Sequence, residues 1–101
     1  MPAAALPADE AERRATLVAS SLLNGEVSER AQIVTELASI LLQHPIAAFS
    51  LVDADEQFFR PSVGLNFSST PRDVSFCAHA ILEPHRALLV KDARLAAMLF
   101  I

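Results

Sequence analysis

The stretch SFCAHAI, residues 75–81, holds the chain's single cysteine, with a histidine two positions further on. Cys77 and His79 brought together could bind a metal or act as nucleophile and base. Around an α-helix, however, positions two apart point roughly 200° away from each other. The pair shares a face only in a strand. The helix-start residues before it and Pro84 after it predict a helix over 74–83. Helical spacing then puts Val74, Cys77, Ala78 and Ile81 on one stripe, with Phe76, His79 and Glu83 on the other side. In that setting Cys77 reads as a small buried hydrophobe. A reactive thiolate would need the positive charge of the helix start and of Arg72, and burial opposes it.

Other candidates fare less well. His44, His79 and His85 have no zinc-site spacing, and there is no second cysteine. Asp53, Asp55 and Glu56 fit a hairpin turn better than a calcium loop, because the twelve-position pattern with its central glycine is missing. Gly25 and Gly64 are the only glycines, too few for a phosphate loop or dinucleotide fingerprint. Ser68, Ser69 and Ser75 lack a nucleophile-elbow context. Arg72 and Asp73 are either an ion pair at a helix start or an anion contact, and capping is the simpler use of Asp73.

The elements that must position these residues belong to a small chain. Its 101 residues allow one domain at most, and 52% hydrophobic residues are enough to bury a core. The net charge is −4 with no lysine or arginine cluster, so a nucleic-acid partner is not expected. One cysteine forms no internal disulfide, which fits a reducing cytoplasm. No apolar run reaches the roughly 18–20 residues that span a bilayer. The start, MPAAALPADEAERR, lacks the basic region of a signal peptide. The expectation is a cytoplasmic protein with no membrane partner.

Residues 1–8, rich in alanine and proline, read as a flexible leader. A first helix starts near Asp9, carries the stripe Ala11, Ala15, Val18 and Leu22, and stops at Asn24-Gly25. A second begins after Ser28, carries Ile33, Leu37, Ile40 and Leu41, and ends before Pro45. Residues 46–53 read as a strand buried on both faces. Asp53 to Glu56 supply a turn, and 57–64 a second strand in which Pro61 marks an edge or bulge. Thr70, Pro71 and Asp73 match a capping pattern for the helix that follows, and 87–92 is a third strand. The apolar segment ARLAAMLFI follows without a closing element. The order predicts an α+β fold.

Taken in order, HPIAAFSLVDADEQFFRPSVGL, TPRDVSFCAHAILEP and LLVKDAR resemble the GAF domain. The likeness is to the bacterial signalling subclass found before diguanylate cyclase, histidine kinase or phosphodiesterase modules. It covers roughly residues 10–95. The resemblance implies a central antiparallel sheet of about six strands, terminal helices on one face and a small-molecule pocket on the other. It places Phe76, His79 and Leu89, Val90 and Asp92 on the pocket wall, with Arg72 and Ser75 at its rim. It names no ligand or cofactor. A family member continues past DAR with more strands and a closing helix. Residues 9–101 are thus expected to be the N-terminal part of a GAF domain, truncated at Ile101. The implied function is a sensory, non-enzymatic module, with a homodimer as one arrangement and an output kinase, cyclase or phosphodiesterase outside this chain. The alternatives are a structural remnant of such a protein or a relative of the GAF-type methionine sulfoxide reductases. The latter use several cysteines, and this chain has one.

Overall fold

A chain this short builds its architecture from local signals, and most of them hold. The computed structural model describes residues 2–24, 28–92 and 97–100. Helix α1 (Glu10–Ala19) starts after Asp9, with Glu10 and Glu12 in its first turn, although the Asp9 side chain caps nothing. A 3-10 turn at Leu22–Asn24 follows. The Gly25 stop lies outside the described residues. Helix α2 (Glu29–Leu41) is capped as expected, the Ser28 hydroxyl accepting from the Ala31 N–H at 3.3 Å.

Both helices present a different face to the rest of the chain from the one their apolar stripes suggest. On α1, Ala11, Ala15 and Val18 are exposed, and Glu10, Arg13, Arg14 and Leu17 turn inward. On α2, Ile33, Leu37, Ile40 and Leu41 are exposed, while Ala31, Thr35 and Ala38 face β1 and β2. Small side chains let the helix lie close to the sheet, and the bulky stripe is left outside.

Strands β1 (Ala47–Val52) and β2 (Glu56–Val63) form the expected hairpin, closed by Asp53 N–H donating to the Glu56 carbonyl at 2.8 Å. Only the end of β1 is buried, at Leu51 and Val52; Phe49 is exposed, against the expectation of a strand covered on both faces. Strand β3 (Ser69–Pro71) pairs with Glu56–Phe58, giving a three-stranded antiparallel sheet in the order β1-β2-β3. Pro61 lies beyond the reach of β3 and beside the register shift between Ala48 and Ser50, where its missing N–H disturbs no ladder. At the end of β2, Gly64 has φ 78, and a Cβ there would overlap the Pro45 carbonyl.

The capping pattern at 70–73 works otherwise than its spacing suggests. Thr70 and Pro71 belong to β3, held against β2, and Arg72 N–H donates to the Asp55 carbonyl at 2.8 Å. The chain therefore stays extended there, passes through a 3-10 turn at Arg72–Val74, and starts α3 (Phe76–Ala80) only after Ser75. The Ser75 hydroxyl is the cap, accepting from Ala78 N–H at 3.1 Å. Helix α3 is shorter than the 74–83 expected, and Val74 is exposed before it.

Strand β4 (Leu88–Asp92) falls where expected. The apolar segment after it supplies β5 (Ala97–Phe100), which pairs antiparallel with β4 in a second, two-stranded sheet. The described strands thus form two sheets, where the resemblance implies one continuous sheet. The α+β class stands. The buried set is small and rich in polar groups: Leu51, Val52 and Ala78 with Thr35, Gln57, Arg72 and Ser75. No helix among the described residues is long and apolar enough to cross a membrane.

Candidate functional site

The most heavily bonded side chain among the expected site residues is Arg72. It is 5% exposed, and a guanidinium so deep in the protein must be neutralised and hydrogen-bonded. Glu10 does this from the first turn of α1. Arg72 Nη1 donates to Glu10 Oε1 at 2.5 Å and Nη2 to Oε2 at 3.2 Å, and Nη1 also donates to the Asp53 carbonyl at 2.9 Å. Arg13, one helical turn on, donates to the same carboxylate through Nε at 3.0 Å and Nη2 at 2.8 Å. Its Nη1 donates to the Val52 carbonyl at 2.6 Å. The hydrogen bonds from Arg72, then those from Arg13, hold the Glu10 carboxyl down at about 2 against the opposing effect of burial.

This cluster clamps three places together: the start of α1, the end of β1, and the turn that leads into α3. Ser75 adds the next anchor. It is 4% exposed, caps α3, and donates to the Oε1 of Gln57 on β2, itself buried. Glu10 thus holds the turn that leads into α3, and Ser75 holds the start of α3 to β2.

The other expected residues divide into two groups. Phe76 and His79 are half-buried on α3, and His79 Nε2 is buried with no hydrogen-bond partner among the described residues. Cys77 is a free, half-buried thiol on the same helix. Leu89, exposed, and Val90, half-buried, lie on β4 in the second sheet; Asp92 closes that strand, and its side chain lies outside the described residues. The structure thus brings Arg72, Ser75, Phe76 and His79 to one turn-and-helix segment and carries the β4 residues on a separate sheet. Among the described residues, no three His, Cys, Asp or Glu side chains gather as they would to hold a metal ion.

Two features escape the sequence reading. The first is the Glu10–Arg13 pair, whose spacing of three puts both residues on one face of α1. The second feature is a cleft of about 950 Å³ beside β1, walled by Leu6 of the leader, Leu17 of α1, Phe49 and Leu51 of β1, and Ile81 and Leu82 after α3. None of the expected site residues lines it.

The comparison with known proteins points to signalling. The chain is 41% identical over 76 residues, 75% of its length, to a cyclic di-GMP phosphodiesterase of Pseudomonas aeruginosa. It spans about 13% of the length of that relative. No model of a known protein family matches the chain. The similarity supports a general signal-transduction role. It also corrects the expectation of a non-enzymatic protein, since the relative is an enzyme.

Proposed function

We propose that residues 9–101 supply the helices and sheet of a GAF-type sensory segment in a bacterial signalling protein of the cyclic di-GMP phosphodiesterase kind. The observation that carries this is the 41% identity over 76 residues to such an enzyme. The order of the LVD, VGL, SFCAHAI and VKDAR stretches supports the GAF part of the reading. In this reading a small molecule meets α3 at Phe76 and His79, whose buried Nε2 has no hydrogen-bond partner among the described residues. The resemblance implies that Leu89, Val90 and Asp92 of β4 belong to the same pocket wall. Arg72 and Ser75 hold the helix from behind and pass its movement to α1 through Glu10. Output is given by a catalytic module of the same signalling pathway.

A chimera tests the proposal. The stretch of the Pseudomonas enzyme that aligns with this chain is replaced by this chain's residues, and cyclic di-GMP hydrolysis is measured on the purified product. A sensory segment of the same kind keeps hydrolysis within a few-fold of the parent, and Glu10→Gln in the chimera changes it. A folded chimera that hydrolyses cyclic di-GMP more than tenfold more slowly, or one indifferent to Glu10→Gln, would overturn the reading.

A further inference from the structure

Helix α3 is a five-residue element, Phe76–Ala80. Helices that short are not stable on their own in water, so their place is set by what holds their ends. The start of α3 is held by one hydroxyl. Ser75 Oγ accepts from the Ala78 N–H at 3.1 Å, which caps the helix. A serine hydroxyl has a single proton to give, and Ser75 gives it to Oε1 of Gln57. The hydroxyl is thus used as acceptor and as donor at once, which fixes its direction.

Gln57 has the build of a fixed point. It lies on β2, the middle strand of its sheet, opposite Val52 on one side and Thr70 on the other. It is 5% exposed, and an amide at that depth is costly unless it is hydrogen-bonded. The Arg72 clamp stops short of the helix. Its guanidinium bonds run to Glu10 and the Asp53 carbonyl, and its backbone N–H to the Asp55 carbonyl. The bond from Ser75 to Gln57 continues the hold from the turn to the first residue of the helix start.

Ala78 and His79 follow Ser75 by three and four positions, so all three share one helix face. That face is turned inward: Ala78 is 2% exposed, the His79 Nε2 is buried, and α3 meets β1. We infer that Gln57 is a positioning residue for His79. It holds the Ser75 hydroxyl, the hydroxyl sets where α3 starts and how it is turned, and the turn of the helix buries Nε2. In the sensory reading His79 meets the small molecule, which makes Gln57 the residue that presents it. The positioning itself stands on the geometry within the described residues, and its test needs no ligand.

The test uses the full chain, isotopically labelled, with Gln57→Met, Ser75→Ala and the double variant. Methionine keeps the bulk of glutamine and removes the acceptor. Carbethoxylation by diethyl pyrocarbonate, read by mass spectrometry, reports access to His79, with the exposed His44 and His85 as internal references. Amide exchange reports the cap at Ala78, and the Leu51 and Phe58 amides report whether the hairpin still stands. Gln57→Met should speed both His79 modification and Ala78 exchange by about tenfold or more, with the hairpin amides within about threefold of the parent. Ser75→Ala should do the same, and the double variant should be no more than about twofold faster than Ser75→Ala, since both changes break one link. If Gln57→Met fails to fold, Ser75→Ala breaks that link from the helix side and carries the same expectation for His79. A folded variant of either kind in which His79 stays protected would overturn the inference. So would effects that multiply in the double variant, or a release of His79 that only keeps pace with loss of hairpin protection.

Discussion

Glu10 sets one carboxylate against two guanidinium groups, and the pairing rests on its staying ionised. Its carboxyl titrates near 2 in the folded chain, against an ordinary value of 4.5. An acid whose folded value is depressed stabilises the fold above its unfolded value, and that stability drains away as the pH falls toward the folded value. Glu10→Gln leaves Arg72 buried with carbonyl acceptors alone, a loss of about 3 kcal/mol at neutral pH. Paired melts of the two proteins should differ most above pH 5 and converge between pH 4.5 and pH 2. Curves that stay parallel over that range would mean Glu10 is not the linked group. Arg72 and Ser75 are visible in the sequence because they flank a motif of recognisable shape. Their partners are not. Glu10 lies 62 positions before Arg72, and nothing in local spacing announces a pairing made by the fold. His79 is legible as a candidate, but its unmet Nε2 becomes visible only when its neighbours are placed.

At the level of elements, sequence periodicity reports that α2 is two-faced without saying which face the sheet takes. The stripe Ile33, Leu37, Ile40 and Leu41 has the period of a core face, and the structure leaves it exposed, Ile40 at 69%. The sheet is met instead by Ala31, Thr35 and Ala38, because distance of approach outweighs hydrophobic area where the helix crosses β1 and β2. Thr35 is 4% exposed, and its hydroxyl donates back to the Ala31 carbonyl at 2.7 Å, so it sits in the contact without an unmet polar group. The two faces should respond oppositely to substitution. Ile40→Lys changes the unfolding free energy in urea by no more than about 0.5 kcal/mol. Thr35→Leu, which forces added volume into a close contact, lowers it by about 1–3 kcal/mol. A costly Ile40→Lys together with a harmless Thr35→Leu would show that α2 packs by its stripe after all. The Ser28 cap of α2 and the β1–β2 hairpin are legible because caps and turn residues act over a few positions, whereas α1 ends at Ala19, short of the expected Asn24-Gly25 stop. The start of α3 is not legible, because pairing of Thr70 and Pro71 with β2 overrides the capping pattern that those residues carry.

Across the whole molecule the two sheets differ in what holds them. The β1–β2 hairpin is covered by α2, joined by β3, and clamped at its turn by Arg72, which donates to the Asp53 carbonyl and takes the Asp55 carbonyl on its backbone N–H. Arg60 of β2 reaches further, donating to the Leu23 carbonyl at 2.8 Å and so tying the α1–α2 connection to the sheet. Among the described residues the β4–β5 pair is a two-stranded sheet, its ladder interrupted between Val90 and Asp92. Two-stranded ribbons are marginal in water, and segments with few supporting contacts open at low free energy. The α+β class was readable from element order, but this division was not, because sequence shows which segments are strands and leaves their partners to tertiary pairing. Native-state hydrogen exchange should therefore separate the sheets. The amides of Leu51 and Phe58, which face each other as a bonded pair, should exchange at least about a hundredfold more slowly than those of Leu88 and Val90. Adding denaturant should merge the two groups only near the unfolding midpoint, since the β4–β5 amides exchange by local opening and the hairpin amides by opening of the whole chain. Equal protection in both sheets without denaturant would mean that they open as one unit, as a single continuous sheet does, and that the second sheet is held by more than its ladder.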